Sequence, residues 1–172
     1  MVLHSLEGDK IEFMVRRDFP TTNNEADYEA LIVGLDLAKV VEAENLVVYC
    51  DSQVVTSQVN GDYECKNEWM KKYFEQVKDR VNDLQVKFVQ IPREKNEHAD
   101  RLAKAASVEH MLIPSQVLSF IQISPLIDNI SVQEFQELLD NTNNLLLEGW
   151  CVVRSQGSCK EVEGSSSALR CD

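Results

Sequence analysis

The sequence lacks a cysteine pairing pattern and has no long apolar run. Its five cysteines are odd in number and show no C-x-x-C spacing, so neither a disulfide framework nor a zinc site is expected. No apolar stretch approaches the roughly 20 residues that span a bilayer. The N-terminal MVLHSLEGDK has neither the basic nor the apolar region of an export signal. We therefore expect an intracellular protein, in the cytoplasm or the nucleus, without a membrane partner.

Positive charge is also scarce. The 17 Lys and Arg are outnumbered by 29 Asp and Glu, which gives a formal net charge of −12. Proteins that bind nucleic acid through its phosphates generally use Lys and Arg, which release condensed counterions. The composition therefore argues against long-range attraction to a polyanion, and any contact with nucleic acid must be local.

What is present indicates one α/β domain followed by a tail. Hydrophobic residues make up 44% and charged residues 27% of the 172 residues, as in globular proteins. Apolar spacings predict the order β-β-α-β-α-α-β-α. The predicted elements are a hairpin at 2–19, helices at about 23–43, 52–59 and 69–81, strands at 46–50 and 86–91, and a last helix capped by Asn96. We expect the domain to span 1–108, and 109–172 to form a connector and a partly disordered tail.

Three aspartates fall where such a fold would bring them together. Asp51 follows the apolar run Leu46–Cys50, which is typical of a strand inside a parallel or mixed sheet, and α/β sheets bind ligands at the carboxyl ends of strands. Asp27 lies one helical turn before Leu31, and Asp100 lies in the first turn of the last helix. Carboxylates clustered without His or Cys suit Mg²⁺ and phosphoryl transfer. Spacing alone leaves open that they are solvated surface charges.

Five short segments resemble a known family. They are PTTNNEADYEALIVGLDLA at 20–38, VYCDSQ at 48–53, VNGDYE at 59–64, IPREKN at 91–96 and HADRLA at 98–103. In this order and register, over residues 2–107, the chain resembles the RNase H (type 1) domain of gypsy-class LTR retrotransposon polyproteins of plants. The resemblance implies a metal-dependent endonuclease that cuts the RNA strand of RNA–DNA hybrids. It also implies former fusion to reverse transcriptase and integrase domains.

The resemblance further implies a fold and a site. The fold is an RNase H-like mixed five-stranded sheet with flanking helices, and the site has four carboxylates that bind two Mg²⁺. Asp27, Asp51 and Asp100 match the second, third and fourth acids, although the usual second acid is Glu. The positions that match contacts to the hybrid's backbone or minor groove are Thr22, Asn23, Asn24 and Gln53. Such contacts read shape and 2′-hydroxyls.

The first acid of the family and its strand have no match. In the family this aspartate lies on an opening strand at the centre of the sheet, beside the strand that ends at Asp51, and it bridges both metal ions. We therefore expect a sheet that lacks its first, central strand and a chain that cleaves hybrid poorly or not at all. Two alternatives stay open. One is a non-catalytic remnant that only binds nucleic acid or a protein partner, and the other is a coding sequence whose true start lies upstream.

Overall fold

The computed structural model describes residues 1–6, 8–106, 117–128 and 150–154. Up to residue 106, its helices and strands follow the order that the sequence predicts, and two further strands come after them. The elements are β1 (Val2–Ser5), β2 (Lys10–Arg17), α1 (Asn23–Val40), β3 (Asn45–Cys50), α2 (Gln53–Val59), α3 (Glu68–Val81), β4 (Gln85–Gln90), α4 (Glu97–Ala106), β5 (Val117–Gln122) and β6 (Trp150–Arg154), with short 3-10 turns at Arg93–Asn96 and Leu126–Asp128.

The six strands form one mixed sheet in the order β4-β3-β6-β1-β2-β5. β1 runs antiparallel to β2 and β6, whereas β3 is parallel to β4 and β6, and β5 is parallel to β2. The expected mixed α/β class is confirmed. The sequence predicts a five-stranded sheet whose first, central strand is missing, but the sheet has six strands. β6 occupies the central position that is expected to be empty, and β5 adds an outer strand. The pairings of β5 and β6 join residues that are far apart in sequence, so no local sequence pattern predicts them.

Segments beyond residue 108 therefore contribute to the sheet. β5 and β6 both come from the stretch that the sequence assigns to connector and tail. Gln122 and Leu126 are each 1% exposed, so this part of the connector packs against the domain. The domain boundary at 108 stays a prediction, and the predicted disorder of the last residues falls on 155–172, outside the described residues.

Helix α1 begins with the predicted capping box. The backbone N–H of Glu25 donates to the Thr22 hydroxyl at 3.4 Å, and the N–H of Thr22 donates to the Glu25 carboxylate at 2.7 Å, which satisfies two amides of the first turn. Nearly every residue from Tyr28 to Ala38 is buried. The helix ends three residues before the predicted position 43, and Glu42 then turns the chain with a φ of 54°. In the described part of the chain, no helix is long and apolar enough to cross a bilayer.

Apolar clusters cover both faces of the sheet. The larger cluster joins α1 and α3 to the inner residues of β1, β2 and β3. The smaller cluster joins α4 to the opposite face and contains Val2, Met14, Leu102, Ala106 and Val117. Both faces can be apolar because successive side chains of a strand point to opposite sides. Helices α1 and α4 therefore pack on opposite faces of the sheet.

The predicted capping role of Asn96 is wrong. Asn96 lies in the 3-10 turn before α4 and is fully buried, and among the described residues neither polar atom of its side chain has a hydrogen-bond partner. The turn makes its own backbone bond, from the N–H of Lys95 to the carbonyl of Pro92 at 2.9 Å. The start of α4 is therefore set by this turn.

Candidate active site

Asp51 lies at the carboxyl end of β3. The parallel pair β3–β4 places the ends of both strands at the same edge of the sheet. Directly after Asp51, Ser52 caps α2 by accepting a hydrogen bond from the N–H of Val55 at 3.5 Å. Asp51 is half-buried. It is thus fixed between a strand end and a helix start, where the backbone has little freedom.

Asp27 lies beside Asp51. It is half-buried in the second turn of α1. Burial is the main cause that raises the pKa of Asp27, and the negative charge of Asp51 raises it further. A hydrogen bond with Ser52 and the positive charges of Arg17 and Arg93 act in the opposite direction. The N-terminal part of α1 and the residue before the cap of α2 therefore bring two carboxylates close together.

Asp100 borders the same site from α4, where its charge is already compensated. Its Oδ2 lies 2.5 Å from Nζ of Lys104, one turn along the helix, and its Oδ1 lies 3.7 Å from Nη2 of Arg93. The hydrogen bond with Lys104 is the main cause that lowers the pKa of Asp100, and the charge of Arg93 lowers it further. Arg93 thus acts on both Asp27 and Asp100, which links the acid of α4 to the acid of α1.

The donor set fits a divalent cation in part. Adjacent carboxylates suit a hard cation such as Mg²⁺, which prefers oxygen ligands, and a cation would relieve the mutual repulsion of Asp27 and Asp51. Asp100 would first have to leave Lys104 or Arg93. Within the described residues, no three His, Cys, Asp or Glu side chains are already arranged to hold a metal ion. The site therefore offers one carboxylate pair and a third acid nearby.

The four residues predicted to contact substrate lie at the starts of two helices. Thr22 is the N-cap of α1, Asn23 and Asn24 form its first turn, and Gln53 is the first residue of α2. All four are exposed. Because Asp27 and the α2 cap Ser52 are hydrogen-bonded, these helix starts adjoin. Helix starts present backbone N–H groups that favour phosphate oxygens.

Arg17 is a site residue without a motif in the sequence. Its Nη1 donates to the carbonyl of Ala26 at 2.9 Å, and its charge acts on Asp27 and on the buried Glu29. The signal that was available is positional, because Arg17 ends the strand that leads into the Pro-Thr-Thr segment before α1. A strand-end arginine is common, so the pattern alone would not have identified it.

Similarity to known proteins covers the same part of the chain. The model of the family described as "Reverse transcriptase-like" matches residues 7–106. The bifunctional protein Rv2228c of Mycobacterium tuberculosis is 35% identical over 86 residues, which are 49% of this chain and 24% of that protein. Ribonuclease HI of Halobacterium salinarum is 31% identical over 90 residues, which are 49% of this chain and 43% of that protein. The chain thus spans less than half the length of these curated relatives.

A solved structure has a similar fold. The crystal structure of RNase H1 from Halobacterium salinarum is 27% identical in sequence, with a TM-score of 0.54, and the similarity covers 62% of this chain and 81% of that chain. The family match includes α1, the end of β3 and α4, and therefore all three aspartates. The chain therefore belongs to the reverse transcriptase-like family, and its residues 7–106 form an RNase H-like domain.

Proposed function

We propose that this chain is a metal-dependent ribonuclease domain that acts on the RNA strand of RNA–DNA hybrids. The observation that carries the proposal is the pairing of Asp27 with Asp51 at the carboxyl end of β3, with Asp100 linked to them through Arg93. The similarity to proteins named Ribonuclease HI and RNase H1 supports the same substrate class.

Each site residue has a role in this proposal. Asp27 and Asp51 would hold one Mg²⁺, and Asp100 would contribute to a second. Bound cations of this kind activate a water and stabilise the leaving oxygen of a phosphodiester. Arg93 contacts Asp100 at 3.7 Å, and a bound cation would take the place of this contact. Exposed polar residues at the starts of α1 and α2 would contact the hybrid's backbone and minor groove and position it. These residues are Thr22, Asn23, Asn24 and Gln53.

We further propose that cleavage by this chain is weak. The strand in the central position, Trp150–Arg154, contains no Asp or Glu, so it does not supply the acid that would bridge two metal ions. Without a shared anion, two bound cations would repel each other with less compensation. Asp100 forms ion pairs with Arg93 and Lys104. These ion pairs compete with a metal ion, so they favour a second candidate function, which is binding of hybrid without cleavage.

A cleavage assay on labelled RNA–DNA hybrid with Mg²⁺ tests these proposals. The proteins are the chain, a version extended at its N-terminus by a strand that contains Asp-Gly, and the extended version with Asp51→Asn. Asp83→Asn is the matched control, because Asp83 precedes β4 at the opposite end of the strands and its side chain is 85% exposed.

We expect little cutting by the chain, more by the extended version, and loss of that gain with Asp51→Asn but not with Asp83→Asn. Strong Mg²⁺-dependent cutting by the unextended chain would contradict the proposed weakness. Equal activity of the Asp51→Asn variant would place the site elsewhere. Hybrid binding without cutting in every version would support the binding function instead.

The origin and setting of the domain are part of the proposal. We infer descent from a gypsy-class retroelement of plants, in which the domain was fused to reverse transcriptase and integrase. This rests on the resemblance of the segment at 20–38 and is consistent with the family description. Location in the cytoplasm or the nucleus stays a prediction.

A further inference from the structure

Both oxygens of the Asp100 carboxylate already face a cationic side chain. Oδ2 lies 2.5 Å from Nζ of Lys104, and Oδ1 lies 3.7 Å from Nη2 of Arg93. The Asp100 side chain is 24% exposed, whereas those of Lys104 and Arg93 are 73% and 78% exposed. The carboxylate therefore lies beneath two cationic side chains that are themselves open to solvent.

The side chains of the candidate active site are balanced in charge before any metal ion binds. The three acids carry three negative formal charges. Arg17 and Arg93 act on Asp27, and Lys104 pairs with Asp100, so these three cationic side chains bring three positive charges. One divalent cation would leave two excess positive charges, and two would leave four. Binding of a second cation is therefore favoured when a cationic side chain moves away or an anion arrives.

Lys104 is suited to move between two anions. It lies one turn after Asp100 on α4, and an exposed ion pair at this spacing contributes little to stability. The ammonium is a point charge on a flexible stem, so it can turn toward solvent while the backbone stays in place. Backbone phosphates of nucleic acid are anions that Lys side chains bind. Exchange of the carboxylate for a phosphate of bound hybrid would therefore cost little.

We propose that Lys104 is an internal counter-ion of Asp100 that bound hybrid displaces. In the free protein Lys104 holds the place of a metal ion at this carboxylate. When hybrid binds, Nζ of Lys104 moves to a backbone phosphate, and Asp100 becomes available as a ligand. The inference rests on the proposed function, because it takes Asp100 as a metal ligand and hybrid as the substrate. It adds an order of events, in which hybrid binds before the site accepts a second cation.

Binding of Mn²⁺ to the full chain without hybrid gives the first test. Mn²⁺ prefers the same oxygen ligands as Mg²⁺, and its free concentration is measured by electron paramagnetic resonance. We expect the unsubstituted chain to bind one Mn²⁺ more tightly than a second. Lys104→Gln should raise the affinity for the second ion about three- to tenfold, because a positive charge beside Asp100 is removed. Unchanged affinity for the second ion would overturn the proposal.

Two further variants separate a local effect from an effect of total charge. Lys39→Gln removes one positive charge whose partner, Asp83, lies at the opposite end of the strands, and it should change the second affinity less than twofold. Asp100→Asn, added to Lys104→Gln, should cancel the gain. An equal gain with Lys39→Gln, or a gain that persists without the Asp100 carboxylate, would contradict the role of Lys104.

Binding of RNA–DNA hybrid in EDTA tests the movement of Lys104 to a phosphate. In fluorescence anisotropy between 50 and 200 mM salt, Lys104→Gln should reduce the slope of log affinity against log salt by about 1, and Lys39→Gln should leave it unchanged. An unchanged slope with Lys104→Gln would overturn the displacement by hybrid.

Asp51→Asn in the Mn²⁺ experiment distinguishes the two proposals. If Mn²⁺ binding does not depend on Asp51, the metal site of the proposed function is wrong, and the counter-ion role is wrong with it. If binding depends on Asp51 but the second affinity is the same with and without Lys104, the counter-ion role alone is refuted.

Discussion

Asp27 combines partial burial with a neighbouring negative charge, and both raise its pKa. A carboxyl group whose pKa is raised on folding favours the folded state when it is protonated. This stability is fully present below the unfolded pKa, near 3.8, and is lost as the pH rises through the raised folded value. At neutral pH the ionised Asp27 therefore destabilises the fold, which is common at sites that bind cations.

Asp27→Asn is accordingly expected to stabilise the cation-free protein at pH 7. The gain should be on the order of 1 kcal/mol, the size typical of relieving an unfavourable functional residue. It should shrink as the pH is lowered toward and below 3.8, where Asp27 becomes protonated in both the folded and the unfolded state of the unsubstituted chain. Urea denaturation of both proteins in EDTA at several pH values measures this difference. If Asp27→Asn is instead less stable than the unsubstituted chain at pH 7, the ionised Asp27 does not destabilise the fold and the prediction is wrong.

The buried ion pair of Asp36 with Arg80 has the opposite role. Asp36 is fully buried, and its Oδ1 accepts a hydrogen bond from Nε of Arg80 at 2.6 Å. Burial raises the pKa of Asp36, and Arg80 opposes the rise. Removal of Arg80 leaves a buried carboxylate without its cation, so we expect Arg80→Met to cost about 3–5 kcal/mol.

The matched control is Lys71→Met, also in α3. Lys71 lies 2.6 Å from Glu68, whose side chain is 85% exposed, and exposed pairs contribute little to stability. Both variants lose one cation of a pair, and denaturation midpoints compare them. In Arg80→Met the pKa of Asp36 should rise further, so the deficit should diminish as the pH falls. Equal losses in the two variants would contradict the role assigned to burial.

Buried acids show how far residue roles follow from sequence. Glu29 and Asp36 interrupt the apolar run of α1, seven residues apart, and that interruption was a signal that each requires a buried partner. The partners, Tyr73 and Arg80, lie 44 residues away in each case. A sequence reveals the need for a partner, but the packing of α3 on α1 decides which residue supplies it.

At the scale of elements, Glu29 joins α1, α3 and the connector. Its carboxylate accepts hydrogen bonds from the Tyr73 hydroxyl at 2.7 Å, the Gln122 amide at 2.7 Å and the N–H of Leu126 at 3.0 Å. Glu29 is 1% exposed, so these bonds replace water. The segment after β5 is thereby fixed against the two helices.

Tyr73→Phe is expected to cost about 1–2 kcal/mol, because it deprives a buried carboxylate of one donor. The ring should stay in place, since Tyr73 stacks on Tyr28 with centroids 5.8 Å apart. Hydrogen exchange at 122–126 should become faster. Tyr63→Phe is the control, because Tyr63 is 61% exposed and its substitution should change stability by less than about 0.5 kcal/mol. If Tyr73→Phe and Tyr63→Phe change the stability equally, the hydrogen bond of Tyr73 to Glu29 does not have the proposed role.

The elements up to residue 106 could be predicted because each has a local signature. The hairpin alternates in hydrophobicity, α1 has its capping box, and the strand before Asp51 is continuously apolar. β5 and β6 also lie in apolar stretches, but their partners could not be inferred. β5 pairs in parallel with β2 across about a hundred residues, and β6 inserts between two elements formed long before it. Such pairings depend on which edges the rest of the sheet leaves open.

At the scale of the whole molecule, the net charge of −12 limits binding to nucleic acid. We expect the local basic groups that contact hybrid to include Lys71, Lys72, Arg93 and Lys95. Lys71 is already paired with Glu68 at 2.6 Å, and Lys72 lies over the ring of Trp69 at 4.7 Å. At least two of these four cations would therefore have to give up an existing contact to bind a phosphate.

Hybrid binding is accordingly expected to be weak and sensitive to salt. Each phosphate contact gives a slope of about −0.9 in a plot of log affinity against log salt, so four contacts give about −3 to −4. Fluorescence anisotropy between 50 and 200 mM salt measures the slope, and Lys95→Gln should reduce it by about 1. Tight binding that does not change with salt is the result that would exclude this interface.

The position of β6 also governs when the fold can be completed. A ribosome adds about 5–20 residues per second, so roughly 2–10 s separate the synthesis of α4 from that of residue 154. During this interval the hairpin and the β3–β4 pair have facing edges without their shared partner, which makes the nascent chain prone to aggregation. Closure of the sheet by a late, distant strand also predicts slow folding. Pulse-labelled chains arrested at residue 110 should therefore be digested by protease faster than chains arrested well beyond residue 154.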